Sequence, residues 1–342
     1  SCNWLESSLA GTPFCYSAQK RWESLYTLTT LAVLYRVTGN RDYADAMESL
    51  WWGIVSHDRH NTGSFGTGEG ATGDIYGAGS DKEFVYMNSS DGQRVSSQIE
   101  LAPHSYEGGR EMNCCQASGN RGLSQFTQWG VLNDDRDIYL NYYGQSNVRT
   151  LTPKGHPIGI VQQTDYPKSG SVRITLDPGR AERFGLNLRI PVWSSRASVR
   201  MNGVPCSGVT PGHYYRLERK WRSGDVVELD LDMCVHYWVG DGNMAGRTSV
   251  YYGPVLLSVA KPSEEAVKYR FTPESFDALA FEKRPGHWFY ARVATADGHT
   301  VAVEDYAAKP ANTPYTTWLN VDTGLTPVVF SRDTIPVWSN RP

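Results

Sequence analysis

Apolar positions along the chain fall into two regimes. Between residues 18 and 37, "AQKRWESLYTLTTLAVLYRV", Trp22, Leu25, Leu28, Leu31, Ala32 and Tyr35 recur at helical spacing, and Thr38-Gly39-Asn40 supplies a stop. A second helix is predicted over 41–56 through Tyr43, Met47, Leu50, Trp51 and Ile54, so the two read as a helical hairpin. A third is predicted over 118–132, "SGNRGLSQFTQWGVL". From about Asp137 the period changes to two. "DIYLNYYG", "SVRITLD", "GLNLRIPVW", "ASVRMNG", "HYYRLERKW", "DVVELDLDM" and "TSVYYGPVLLSVA" read as short strands divided by Gly, Pro, Asn and Asp. Strands so spaced, without intervening helices, predict an antiparallel β-sandwich. "HWFYARVATADGHTVAVEDY" predicts one more hairpin. The expected division is a helical region over 1–135, a β-sandwich over 136–260 and a further β-rich region over 261–342.

Composition narrows the function classes. The 342 residues are 40% hydrophobic and 20% charged, enough for a substantial core. A formal net charge of −3 gives no electrostatic reason to expect nucleic acid as a partner. No apolar run approaches the ~20 residues needed to span a bilayer. The 11 Trp and 20 Tyr suit a sugar-binding cleft as well as a sandwich core. Six cysteines in a chain of this length do not make a disulfide scaffold, although Cys2, Cys15, Cys206 and Cys234 are able to pair in an oxidising compartment. The chain begins "SCNWLES", without a starting Met or a signal-peptide pattern, and is expected to lack its true N-terminus. The compartment is not legible.

Two stretches carry candidate chemistry. In "EGGREMNCCQASGNRGLSQF", Cys114 and Cys115 sit in a polar, glycine-rich turn ahead of a helix. Core packing, separate disulfides and chemistry are all open readings of such a pair. A helix start lowers a thiol pKa, and the thiolate can ligate Zn²⁺ or attack an electrophile. In "NTGSFGTGEGATGDIYGAGS", residues 61–80, a long glycine-rich loop holds Glu69. It is either a solvated loop residue or a general acid held over a cleft.

Taken together, these segments resemble glycoside hydrolase family 127, the β-L-arabinofuranosidase-like proteins. "NTGSFGTGEGATGDIYG" is similar to the family's GE-bearing loop, and "NCCQASGNRGL" to its CC-P-x-N-x-x-R segment. "LNLRIPVWSSRASVRMNG", "GHYYRLERKWRSGDVVELDLDM" and "GRTSVYYGPVLL" resemble its sandwich domain, and "YTTWLNV" adds a weaker match. The resemblance implies an (α/α)6 barrel followed by β-sandwich domains, so the expected fold class is α+β multidomain with a partial barrel. It also implies a retaining glycosidase of a plant or glycoprotein glycan, whose nucleophile is a zinc-bound cysteine. By the same resemblance Cys114 is the nucleophile, Glu69 the acid/base and Tyr86 a substrate-binding residue, with Cys114, Cys115 and Glu83 as zinc ligands.

The chain also departs from the family pattern. The family's E-T-C motif is absent: Phe84 and Val85 follow Glu83. Zinc would then lack its usual fourth protein ligand. The family's helix-borne histidine has no match, since residues 19–22 read Gln-Lys-Arg-Trp. About 135 helical-region residues are fewer than a twelve-helix barrel requires. These departures favour the alternative of a non-catalytic carbohydrate-binding or structural β-sandwich protein with a remnant helical region.

Overall fold

A computed structural model describes residues 3–11, 21–57, 61, 63, 84–85, 95–96, 105–106, 110–111, 124–240, 244–260, 269–277, 279–308 and 315–327. Strands dominate the described residues, with few helices. The helices α1 (Trp4–Leu9), α2 (Arg21–Thr38) and α3 (Arg41–His57) pack around Leu31, Ala46 and Leu50. Asn3 caps α1 through its side-chain oxygen, which accepts from the Leu5 and Glu6 amides. Gly39, at φ +71°, ends α2 where a side chain would be strained. Asn40 then accepts from the Asp42 amide and opens α3. The expected αα-hairpin is therefore present. An (α/α)6 barrel is not established by these helices.

Four two-residue strands, β1 (Phe84–Val85), β2 (Val95–Ser96), β3 (Ser105–Tyr106) and β4 (Arg110–Glu111), pair as β1–β2 and β3–β4. A short helix, α4, covers 124–129. The pattern predicts helix through 132, but Gly130 closes the last turn onto the Phe126 carbonyl. Val131 onward then joins a sheet, where Val131 packs against a core that the helix would not reach.

The first sandwich has two sheets. One is ordered β13-β10-β6-β5, from β5 (Val131–Asn133), β6 (Asp137–Leu140), β10 (Glu182–Arg189) and β13 (Tyr214–Trp221). The other is ordered β12-β11-β14-β9-β8-β7, from β7 (Ser146–Leu151), β8 (Pro157–Thr164), β9 (Ser171–Pro178), β11 (Ser198–Met201), β12 (Val204–Cys206) and β14 (Asp225–Asp230). Ile138, Leu140, Phe184, Leu186 and Leu188 face Ile160, Ile174, Leu176, Val199 and Val227 across the core. Fully burying such side chains contributes roughly 1.5–3 kcal/mol each. Asn202-Gly203, both at positive φ, make the two-residue turn joining β11 to β12. The pairing differs from the expected all-antiparallel sandwich at one place: β6 and β10 run parallel. They are separated in sequence by β7, β8 and β9 of the other sheet, and this crossover allows them to run the same way.

Outward positions on the first sheet hold a paired charge. Arg216 on β13 donates through Nε and Nη2 to both oxygens of Asp137 on β6, each at 2.9 Å. The fork lies over β10, where a Cβ on Gly185 would meet Asp137 Oδ1 at 2.2 Å. Glycine at 185 is what leaves room for the bridge.

A third sheet is ordered β15-β16-β17-β20-β19, with β21 added on β17. Its strands are β15 (Val235–Val239), β16 (Thr248–Tyr252), β17 (Val255–Ala260), β19 (Tyr290–Ala294), β20 (Thr300–Asp305) and β21 (Tyr315–Thr316). The predicted last hairpin is β19–β20. The parallel pair β18 (Arg270–Phe271) and β22 (Asn320–Val321), with α5 (Glu274–Asp277), shares its core.

Candidate functional site

All five residues singled out by sequence, Glu69, Glu83, Tyr86, Cys114 and Cys115, lie outside the described residues. Their mutual geometry therefore enters no argument below. What the structure does position is Asn61, eight residues before Glu69 in the sequence.

Helix α3 brings the chain there. Val55 is buried against Trp238, Met244, Tyr251, Leu256 and Trp318, and Trp52 packs on the same cluster, so α3 is seated against the third sheet. Asn61, first residue of the loop segment, is buried at 3% exposure. Its side-chain amide donates to Ser249 Oγ and to Thr317 Oγ1, each at 2.8 Å. Its backbone carbonyl accepts from the Tyr251 hydroxyl. Three partners from β16 and the segment after β21 thus hold one residue of the helical half. Ser249 and Tyr251 share a face because they are two apart on one strand. Gly63 follows at φ +91°, a turn that glycine adopts without strain.

The seam continues through stacked rings. His236 lies parallel to Tyr251, centroids 5.0 Å apart at 7°, and parallel to Trp193 at 6.4 Å and 3°. Desolvation by these walls pushes the imidazole pKa down to about 3, so His236 is neutral at physiological pH. Trp193 belongs to the "LRIPVW" segment after β10, so the stack ties the first sandwich to the third sheet beside Asn61.

Sequence reasoning overlooked Asn61, Ser249, Tyr251 and Thr317. The only signal available was the Asn opening the glycine-rich stretch, which alternation of apolar residues cannot distinguish from a loop residue. Among the described residues, no group of three or more His, Cys, Asp or Glu is arranged to hold a metal ion. The donors named from sequence, two thiols and a carboxylate, suit Zn²⁺ in softness, one short of the four protein ligands that the family resemblance implies. Cys206 and Cys234 are both thiols and are not bridged to each other. Cys2 and Cys15 lie outside the described residues. No helix among the described residues is long and apolar enough to cross a membrane.

Residues 137–233 match the family model of the β-L-arabinofuranosidase GH127 middle domain. This span covers most of the first sandwich, including the Asp137–Arg216 bridge and Trp193. No curated protein matches the chain. Among solved structures, the chain resembles Ara127N-Se, a GH127 β-L-arabinofuranosidase from Geobacillus stearothermophilus T6, with a TM-score of 0.71 at 18% identity over 87% of this chain and 60% of that one. It also resembles the GH127 β-arabinofuranosidase BT3674, with a TM-score of 0.66 at 18% identity over 93% of this chain and 61% of that one. A structure described as a glycoside hydrolase aligns with a TM-score of 0.56 at 22% identity, over 86% of this chain and 51% of that one. At these identities the likeness shows a shared fold. The chain spans between 51% and 61% of the length of these neighbours. Over residues 137–233 the chain is similar to the GH127 middle domain, and the solved neighbours share its fold.

Proposed function

We propose that the protein is a glycoside hydrolase acting by double displacement on a non-reducing-end sugar such as β-L-arabinofuranose. The match of residues 137–233 to the GH127 middle domain carries this reading. The Cys114-Cys115 pair and the Glu69 loop, both upstream of that domain, support it. The neighbours described as β-arabinofuranosidases suggest the sugar.

In this mechanism the Cys114 thiolate attacks the anomeric carbon while the bond to the leaving oxygen breaks. Glu69 gives its proton to that oxygen, and a thioglycosyl bond forms. Ionised Glu69 then takes a proton from water, whose oxygen attacks the same carbon. The carbon–sulfur bond breaks and the thiolate is restored. Two inversions retain the anomeric configuration. Zinc held by Cys114, Cys115 and Glu83 would supply a thiol kept deprotonated at neutral pH. Tyr86 is assigned to substrate binding. Asn61, eight residues before Glu69, is itself fixed by buried hydrogen bonds to Ser249 and Thr317.

Release of p-nitrophenol from a panel of aryl glycosides, with wild type and Cys114→Ala side by side, tests the reading. The missing E-T-C motif favours the second reading, a non-catalytic carbohydrate-binding or structural protein. Turnover by wild type on no member of the panel would select it.

A further inference from the structure

We propose that the outer face of the β13-β10-β6-β5 sheet, together with α4, is a surface binding site for a neutral glycan chain, separate from the Cys114 and Glu69 segments. Choosing an arabinan as the probe rests on the proposed glycosidase reading; the surface itself does not.

The face is built from outward positions of four strands. In register, Leu132, Tyr139, Asn187 and Arg216 form one row across the sheet. The Tyr139 ring meets the Tyr214 ring edge to face at 5.5 Å. Tyr214 donates its hydroxyl to Asn141 Oδ1. Asn141 in turn donates Nδ2 to the Trp129 carbonyl at 2.8 Å, fixing the end of α4 beside the sheet. Phe126 of α4 meets Tyr142 edge to face at 5.3 Å. These contacts join the rings into one patch. Its aromatic members are not core residues: Tyr142, Tyr214, Trp129 and Phe126 are 40%, 45%, 48% and 54% exposed.

An exposed apolar patch of this kind marks an interaction site, and its polar surroundings indicate the class of partner. Protein-interface cores are depleted in charge. Here Asp137 and Arg216 occupy the middle of the face, and Glu218 pairs with both Arg216 and Arg183. Those pairs neutralise one another in place, and the further cations, Arg189 and Lys220, sit at opposite ends of the β10–β13 ladder, not in the continuous stripe that suits nucleic acid. What remains is a set of rings offering apolar faces, with the Tyr139 and Tyr214 hydroxyls already donating to Asp134 and Asn141, interleaved with paired carboxylate and guanidinium groups. That combination suits a ligand with C–H faces and many hydroxyls but no charge. The ring-to-ring and hydroxyl-to-amide contacts already hold the patch in shape, which lowers the ordering cost of binding.

Affinity electrophoresis and calorimetry with soluble arabinan test the site, using wild type, Cys114→Ala, Tyr214→Ala and Tyr142→Ala, each checked for folding by its thermal midpoint. Tyr142→Ala guards against a folding defect at Tyr214, because its ring lies outside the sheet rows. Wild type and Cys114→Ala are expected to bind equally, and both tyrosine variants about tenfold more weakly. Binding by a wild type that hydrolyses no glycoside would sustain the site while removing the proposed activity. Absence of arabinan binding by wild type, or equal binding by the folded variants, would overturn it. So would a wild-type dimer that Tyr142→Ala converts to monomer, since the patch would then be a protein interface.

Discussion

Asn61 donates its side-chain amide to Ser249 Oγ at 2.8 Å across 188 positions of sequence. The contact is buried, and it fixes Asn61 to a strand of the third sheet. If Glu69 acts from the glycine-rich loop, the sheet at the far end of the chain becomes part of the catalytic apparatus without contributing a reacting group.

Replacing Asn61 with Ala leaves the buried Ser249 and Thr317 hydroxyls without this donor. Urea unfolding is expected to show a loss of about 1–3 kcal/mol. Tyr251→Phe removes one hydrogen bond to the Asn61 carbonyl while keeping the ring stacked on His236, and should cost about 0.5–1.5 kcal/mol. In the glycosidase assay Asn61→Ala should lower kcat more than it raises KM, because the loop is held less firmly and substrate contacts are not removed.

Stability is expected to fall on acidification through two groups on opposite sides of the seam. His236 has its folded pKa pushed down to about 3 by desolvation, below the unfolded value near 6.5. The unfolded chain therefore takes up the proton first, and stability declines as pH falls from about 6.5 toward 3. Asp137 is held below the ordinary carboxylate range by the Arg216 fork. Its contribution is present above the unfolded carboxylate pKa and is lost as pH falls through the folded one. Urea midpoints between pH 7 and pH 4 should drop less steeply in His236→Phe than in wild type. Identical slopes would mean that His236 is not buried as described.

Gly185→Ala should destabilise more than an exposed glycine substitution on a strand, which ordinarily costs little or even stabilises. The added Cβ would come within 2.2 Å of Asp137 Oδ1 and 2.7 Å of Arg216 Nε. Parting the bridge leaves a largely buried carboxylate unpaired, and a loss of about 1–3 kcal/mol is expected by thermal or urea unfolding. Gly185→Ala combined with Asp137→Asn should recover part of that loss, because no charge is then stranded.

Metal content separates the two functional readings. If Cys115 and Glu83 hold zinc, elemental analysis of the purified protein should give roughly one zinc per chain, and Cys115→Ala should abolish it.

Much of the β architecture was legible from alternation. Val172, Ile174 and Leu176 have the period of a strand buried on one face, and each sits in the sandwich core. Helices α2 and α3 were legible through Leu31 and Leu50 and through the stop at Gly39. The parallel β6–β10 pairing was not, because period-two patterns carry no strand direction. Gly185 was equally opaque: its role depends on Asp137 and Arg216, which lie 48 positions before it and 31 after it. The Asn61 anchor joins residues far apart in sequence and is visible only in three dimensions. Cys114, Glu69 and their neighbours are named through resemblance of motifs alone and lie outside the described residues.

The most direct test of the central claim is the initial rate of p-nitrophenol release from p-nitrophenyl β-L-arabinofuranoside by folded wild type and folded Cys114→Ala. The account predicts turnover by wild type and a loss of about a thousandfold or more in the variant, as expected when a covalent nucleophile is removed. Equal rates from the two proteins would contradict it.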